Sequence, residues 1–283
     1  MADRILKVLD SIWDFLRIKK AAIKSVGAIL ICAFVISAMS HKVSHKIFME
    51  IYGFSKNRPK LSNMINFSWD INATTGFKFE KFIEVPVSTP LTEACNRDDY
   101  ETVLLLLKKG ASVNIVDGEI TSPLYRAVGS SDKSLQIVKL LLRNGADPNG
   151  KAEVSPYYPI LVLARAAPSD PLRIKNYLEI FELLVQHGAE LVDEDGTNIL
   201  MNAAGERNAV LVQYLVDNSY FDINDQSHRG TTALMMATYN PEVVEILLSH
   251  GADKAIKNIE GKTAYDYAVE KGNDESARLL KLD

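Results

Sequence analysis

The sequence predicts an all-α solenoid of about five stacked helix-pair repeats with a C-terminal cap, preceded by one N-terminal transmembrane helix. Three observations carry this expectation. Residues 88–283 are self-similar at a period of 31–39 residues, the signature of a repeat architecture. Most units close with a leucine-rich run and a Gly-Ala turn signal. Residues 21–39 (AAIKSVGAILICAFVISAM) form one apolar stretch with a single charge, Lys24.

Composition narrows the function classes. Of 283 residues, 47% are apolar and 24% charged, so a substantial core is available and global disorder is excluded. Two cysteines, Cys32 and Cys95, cannot make a disulfide framework or a Cys-rich zinc module. A net charge of −4 argues against a general nucleic-acid binder. The charge is uneven. Residues 1–46 carry eight basic and three acidic groups, against 24 basic and 33 acidic in the remainder. A basic, apolar leader on an acidic body reads as a membrane-tethered domain.

Residues 1–20 are expected to be a cytoplasmic leader. Ile5, Leu9, Ile12 and Leu16 recur at helical spacing beside Trp13, as in a helix lying on the membrane surface. Residues 21–40 are the anchor. The apolar run spans roughly 28 Å as a helix, near the hydrocarbon thickness, and Lys24 can snorkel to the headgroups. Arg17, Lys19, Lys20 and Lys24 outnumber Lys42 and Lys46 across it. The positive-inside rule then leaves the N-terminus in the cytoplasm and the rest of the chain in the periplasm, anchored in the inner membrane. A signal peptide cut before His41 is the rival, since Ala38 and Ser40 are small. Residues 41–87 are a spacer. Within it residues 77–87 (FKFEKFIEVPV) alternate apolar and charged, as in a strand or hairpin able to cap the domain that follows.

Residues 88–283 hold the repeats. Their start motifs are TPLTEA from Thr89, SPLYRA from Ser122, PILVLA from Pro159, NILMNA from Asn198, TALMMA from Thr232 and TAYDYA from Thr263. Their end motifs close at Asn114, Asn149, Leu191, Asn224 and Asp253. A Thr or Ser caps the first helix, and Pro beside it occupies a turn that needs no donor. Gly110, Gly145, Gly188 and Gly251 are placed to end the second helices in a left-handed turn. In unit four, Asn218 is expected to supply that conformation. Unit three starts on Pro159-Ile160 and carries an extra stretch, residues 167–176 (APSDPLRIKN), expected to emerge as a surface loop.

These paired motifs resemble the ankyrin repeat, with its T-P-L-H-x-A start and L-L-x-x-G-A-x-x-N close, over about 195 residues. The resemblance implies an ankyrin-repeat solenoid with β-hairpin tips that binds protein and does no chemistry. The tips it implies are residues 117–119, 153–158, 193–196, 226–229 and 258–261. The variable first-helix positions are Glu93, Arg126, Leu163, Asn202, Met236 and Tyr267. Candidate partner contacts are Asp117, Glu119, Arg126, Tyr157, Tyr158, Asp195, His228, Arg229 and Met236, with Tyr and Arg favoured as anchors.

No nucleophile elbow, phosphate loop or HExxH motif is present. His187 and His250 precede Gly-Ala, where a cation suits a helix C-terminus. We therefore expect no catalytic residue, cofactor, metal, nucleic acid or small-molecule substrate. The expected partner is a protein, a toxin or an effector, with the membrane held through residues 21–40. An anchored periplasmic ankyrin domain has the architecture of an immunity protein neutralising a secreted antibacterial toxin such as a phospholipase. The alternatives are an adaptor whose cytosolic domain recruits a partner to the membrane, and a bacterial effector.

Overall fold

The structure is a computed structural model that describes residues 75–79, 83–115, 122–128, 134–150, 158–165 and 168–282. The expectations for residues 1–74, including the anchor, lie outside the described residues. Among the described residues no helix is long and apolar enough to cross a membrane.

One compact unit runs from Thr74 to Asp283. It opens with an antiparallel hairpin, β1 (Thr75–Phe79) and β2 (Ile83–Ser88), in which Phe77 pairs with Val85 and Phe79 with Ile83. Among the described residues six helix pairs follow. They are α1 (Pro90–Asn96) with α2 (Tyr100–Lys108), and α3 (Pro123–Val128) with α4 (Ser134–Arg143). Next come α5 (Pro159–Arg165) with α6 (Pro171–Gln186), and α7 (Ile199–Gly205) with α8 (Ala209–Asp217). The last are α9 (Ala233–Met236) with α10 (Pro241–Ser249), and α11 (Ala264–Glu270) with α12 (Asp274–Leu280). First helices pack on first helices in the order α1, α3, α5, α7, α9, α11. Second helices follow in parallel, and α6 meets α8 through aromatic side chains: the Phe181 ring stands edge-on to Tyr214 and Tyr220.

Local chemistry explains the elements. The N-caps Thr89, Asn198, Thr232 and Thr263 each accept the N–H three residues on, and Ser122 does the same for Tyr125 at 3.1 Å. Leu91, Leu124, Ile160, Leu200 and Leu234 are buried two residues after the cap, with Ala94, Ala127, Ala203 and Ala237 three residues further on. Small residues there let neighbouring first helices approach. In the second helices Leu106, Leu141, Leu184, Leu215, Leu247 and Leu280 form a continuous buried line, each worth roughly 1.5–3 kcal/mol relative to exposure. No pair could bury that line alone, so stacking makes the core.

The helix stops follow from backbone sterics. Gly110, Gly145, Gly188 and Gly251 all have positive φ, near +90°. Unit four departs from the expectation: Asn218 has φ −97° and Ser219 takes the left-handed turn at φ 52°. The Asn218 side chain instead donates to the Tyr214 carbonyl at 2.8 Å, so it caps the helix end rather than turning it.

Unit three brings two further corrections. Pro159, Ile160 and Leu163 are buried in the pattern of Pro123, Leu124 and Ala127. The unit therefore starts one residue earlier, with Tyr158 in the cap position and Leu163 where the other units carry Ala. The expected loop is mostly helix. Asp170 accepts from Leu172 N and Arg173 N, Pro171 fills the first turn, and α6 continues unbroken to Gln186.

Candidate protein-binding surface

Three tips are described in full, each closed by the same local bonds. Asp193 N donates to Thr197 O, Ser227 N to Thr231 O and Asn258 N to Lys262 O, all at 3.0 Å. Short acceptors at their bases tighten them: Asp193 Oδ1 takes Asp195 N at 2.9 Å and Thr197 N at 2.8 Å, and Asn258 Oδ1 takes Glu260 N and Lys262 N. Apart from β1–β2, the only strand pairing among the described residues is the isolated bridge Val192–Asn198, so the expected β-hairpin tips are here tight turns with little strand pairing.

The tips are joined in series. His228 N donates to Asp195 O at 2.9 Å, and Ile259 N donates to Arg229 O at 3.1 Å. Close approach depends on glycine. At Gly230, φ +71°, a Cβ would stand 2.9 Å from Asn258 Cα. At Gly196 it would stand 3.0 Å from the His228 ring. The outcome is a ridge whose acidic turn, Asp193, Glu194 and Asp195, lies directly beside the basic pair His228 and Arg229, with all five side chains exposed.

Beneath the turns, asparagines clamp one repeat to the next. Asn114 donates to Gly145 O at 2.9 Å and accepts from Asp147 N, Asn149 donates to Gly188 O at 2.7 Å and accepts from Glu190 N, and Asn224 accepts from Asp253 N at 2.8 Å. Val192 holds the corresponding place in unit three and lies 49% exposed.

Of the sequence candidates, Asp195, His228 and Arg229 thus stand together. Met236 is half-buried on α9 against Gly205 of α7. Arg126, in the last turn of α3, and Tyr158, at the start of α5, are half-buried in earlier repeats. Asp117, Glu119 and Tyr157 lie outside the described residues. Leu163, expected at a variable position, is buried; the one-residue shift gives that place to Val162. Tyr239 is a surface residue that the repeat motifs do not single out. Pro241 keeps Asn240 extended (φ −134°, ψ 103°), so α9 ends in a 3₁₀ turn, residues 237–239. That turn leaves Tyr239 44% exposed beneath the Arg207 guanidinium, 5.5 Å from its ring centre. The Asn-Pro pair was the available signal.

Cys95, Tyr214, His187 and His250 are engaged in structure. Burial, then the Asp98 charge, raises the Cys95 thiol far above its ordinary range, which leaves it inert. Burial and then Glu182, which accepts from the Tyr214 hydroxyl at 2.6 Å, push Tyr214 up to about 12. His187 and His250 each bond a last-turn carbonyl at 2.8 Å. Among the described residues no group of His, Cys, Asp and Glu could hold a metal ion.

Comparison with known proteins agrees with this geometry. The model for "Ankyrin repeats (3 copies)" matches residues 72–152, 172–258 and 211–283. The chain belongs to the ankyrin repeat family. The mouse Ankyrin repeat and SAM domain-containing protein 6 is 43% identical over 116 residues, 39% of this chain and 13% of that protein. A putative ankyrin repeat protein of Rickettsia felis is 37% identical over 109 residues, 38% of this chain and 46% of that protein. The chain therefore spans well under two thirds of these relatives. The crystal structure of the ankyrin repeat protein EF0377 is 30% identical with a TM-score of 0.52, covering 70% of this chain and 98% of that one. Ankyrin repeats are generally non-enzymatic scaffolds for binding protein.

Proposed function

We propose that this ankyrin domain holds a protein partner at the periplasmic face of the inner membrane, tethered by residues 21–40, and that the partner is a secreted antibacterial toxin which it neutralises. The tip ridge is the observation that carries the binding reading. Its acidic and basic turns are fixed to one another by backbone hydrogen bonds before any partner arrives, so little ordering entropy opposes association. The tether and its orientation rest on the apolar stretch and on the excess of cations on its N-terminal side. The immunity role rests on that architecture.

Protease access to a C-terminal tag tests the placement. Digestion after outer-membrane permeabilisation, with a cytosolic marker intact, is the expected result. Protection until lysis would reverse the orientation and make a cytosolic adaptor the reading. For neutralisation, the purified chain should inhibit a toxin encoded beside it with a one-to-one end point. Absence of inhibition at excess would remove that role.

A further inference from the structure

The sixth repeat keeps a stacking face open. Two residues after the first-helix cap, where the five preceding repeats bury a leucine or isoleucine, it carries Tyr265, 36% exposed. Six residues after the cap, Cys95, Val128, Ala164, Ala204 and Thr238 are buried, whereas Val269 is 53% exposed. Three residues before the buried leucine of the second helix, Val103, Val138, Phe181, Val212 and Val244 are wholly buried, whereas Ala277 is only half-buried. All three places are closed wherever a further repeat follows, so together they mark the trailing face of α11 and α12. A terminal repeat ordinarily presents a polar outer face. This one keeps Tyr, Val and Ala.

The charges beside that face are self-complementary. Asp274 and Lys281 lie three residues before and four after Ala277, along one side of α12. Their counterparts in α10, Pro241 and Leu248, are half-buried, while Asp274 and Lys281 are exposed. Among the described residues neither is in an ion pair. The remaining charges are placed otherwise. Lys262 pairs with Glu270, and Asp266 accepts from Thr263 at the start of α11. Glu275 and Arg278 match Glu242 and Glu245, which are exposed in α10 as well. Lys271 ends α11, and Lys254 donates to the Lys281 carbonyl at 3.5 Å. Residues 262–281 carry four acidic and four basic groups, so two copies of the repeat meet without net repulsion.

We infer that this face docks on the same face of a second copy of the chain, with the two α12 helices antiparallel about a two-fold axis at Ala277. The small side chain lets the helices approach. Antiparallel packing sets Asp274 of each copy against Lys281 of the other, and Tyr265 and Val269 leave water beside the axis. Such a contact is isologous and closes on itself. It needs neither the toxin partner nor the tip ridge, and it stands or falls apart from them.

Cysteine crosslinking of the full chain in cells tests it. Ala277→Cys is introduced together with Cys32→Ser; Cys95 is buried and does not react. A matched protein carries Glu245→Cys on the exposed side of α10 instead. After treatment with a short bismaleimide, the tagged chain is isolated and its adducts are identified by mass. Expected is a homodimer from 277, at least tenfold more abundant than from 245. Asp274→Lys alone or Lys281→Asp alone should lower it at least tenfold, since each sets like charges together. The two reversals combined should restore it to within twofold. That rescue also shows that the single variants fail through charge and not through misfolding. No homodimer from 277, equal crosslinking from 245, or a homodimer indifferent to single reversal overturns the inference. So does loss without rescue in protein whose thermal unfolding is unchanged. An adduct from 277 to a different protein overturns it as well, and gives the face to that partner.

Discussion

The Asn208 side-chain amide donates to the Tyr177 hydroxyl at 2.8 Å inside the junction between the third and fourth repeats. Both groups converge on one carbonyl: Tyr177 Oη donates to Leu163 O at 2.5 Å and Asn208 Nδ2 to the same oxygen at 2.8 Å. Asn208 Oδ1 meanwhile accepts Leu211 N at 3.0 Å and so caps α8. The bonds join α5, α6 and α8 where Asn208 is fully buried. Asn208→Ala removes the cap and leaves buried acceptors unpaired, so it should cost about 2–4 kcal/mol. Tyr177→Phe keeps the ring and should cost about 1–2 kcal/mol. Denaturant unfolding measures both. No loss from Tyr177→Phe would show that the ring packing and the cap, not the shared network, hold the junction.

Ser219 adopts a conformation that glycine reaches freely and other L-residues resist. Ser219→Gly should stabilise the domain by about 0.5–1 kcal/mol, and the melting temperature should rise by about 1–4 °C. Gly188→Ala at the matching turn should lower it by a similar amount, because nothing lies within 4 Å of the added methyl and only backbone strain is introduced. A fall on Ser219→Gly would mean that this hydroxyl contributes more than the strain costs.

The contrast between these two turns shows how far the sequence could be read. Repeat number, helix order and the four glycine stops were legible because each answers to one residue type at a fixed spacing. Residue preference points to Asn218 for the turn, because Asn tolerates φ > 0 better than Ser. The backbone is dictated instead by distance from the buried line, and Leu215 places Ser219 there. The α6 extension was also open to reading: Asp170-Pro171 is a cap and first turn followed by Leu172, Ile174 and Tyr177. Length alone makes the same stretch look like an inserted loop. On the surface, the tip positions were legible, but the pairing of Asp195 with His228 was not. It is made by backbone atoms that any sequence carries.

Asn149 tests the clamps between turns. It donates to Gly188 O and accepts from Glu190 N across 41 residues of chain. Asn149→Ala should cost about 0.5–2 kcal/mol, less than a buried network, because water replaces the lost partners. Hydrogen exchange should quicken first at residues 188–190. Uniform quickening throughout the domain would show that the clamp is not a local device.

The C-terminal repeat should be sensitive to acid through its cap. Asp266 Oδ2 accepts Thr263 N and Thr263 Oγ1, both at 2.7 Å, and these bonds, backbone first, hold its carboxyl below the ordinary range. A lowered folded-state value stabilises the fold above the ordinary carboxylate pKa of about 4, and that contribution disappears as pH falls through the lowered value. The drop in melting temperature caused by Asp266→Asn should be full at pH 7 and shrink as pH falls below about 4. Thr263→Ala should cost about 1 kcal/mol at neutral pH. A native-to-Asn difference that did not change with pH would show that the cap acts through shape rather than charge.

Gly230 links the fold to the surface. Its positive φ strains any side chain, and a Cβ there meets the Asn258 backbone at 2.9 Å, too close for a rotamer change to relieve. Gly230→Ala should therefore push the tips apart, break the Ile259 N to Arg229 O bond and cost about 2 kcal/mol or more. If the ridge is the binding surface, affinity for the partner should fall further than Arg229→Ala alone reduces it, because spacing and charge are lost together. Binding left unchanged by Gly230→Ala, in protein shown by circular dichroism to be folded, would remove this ridge as the contact.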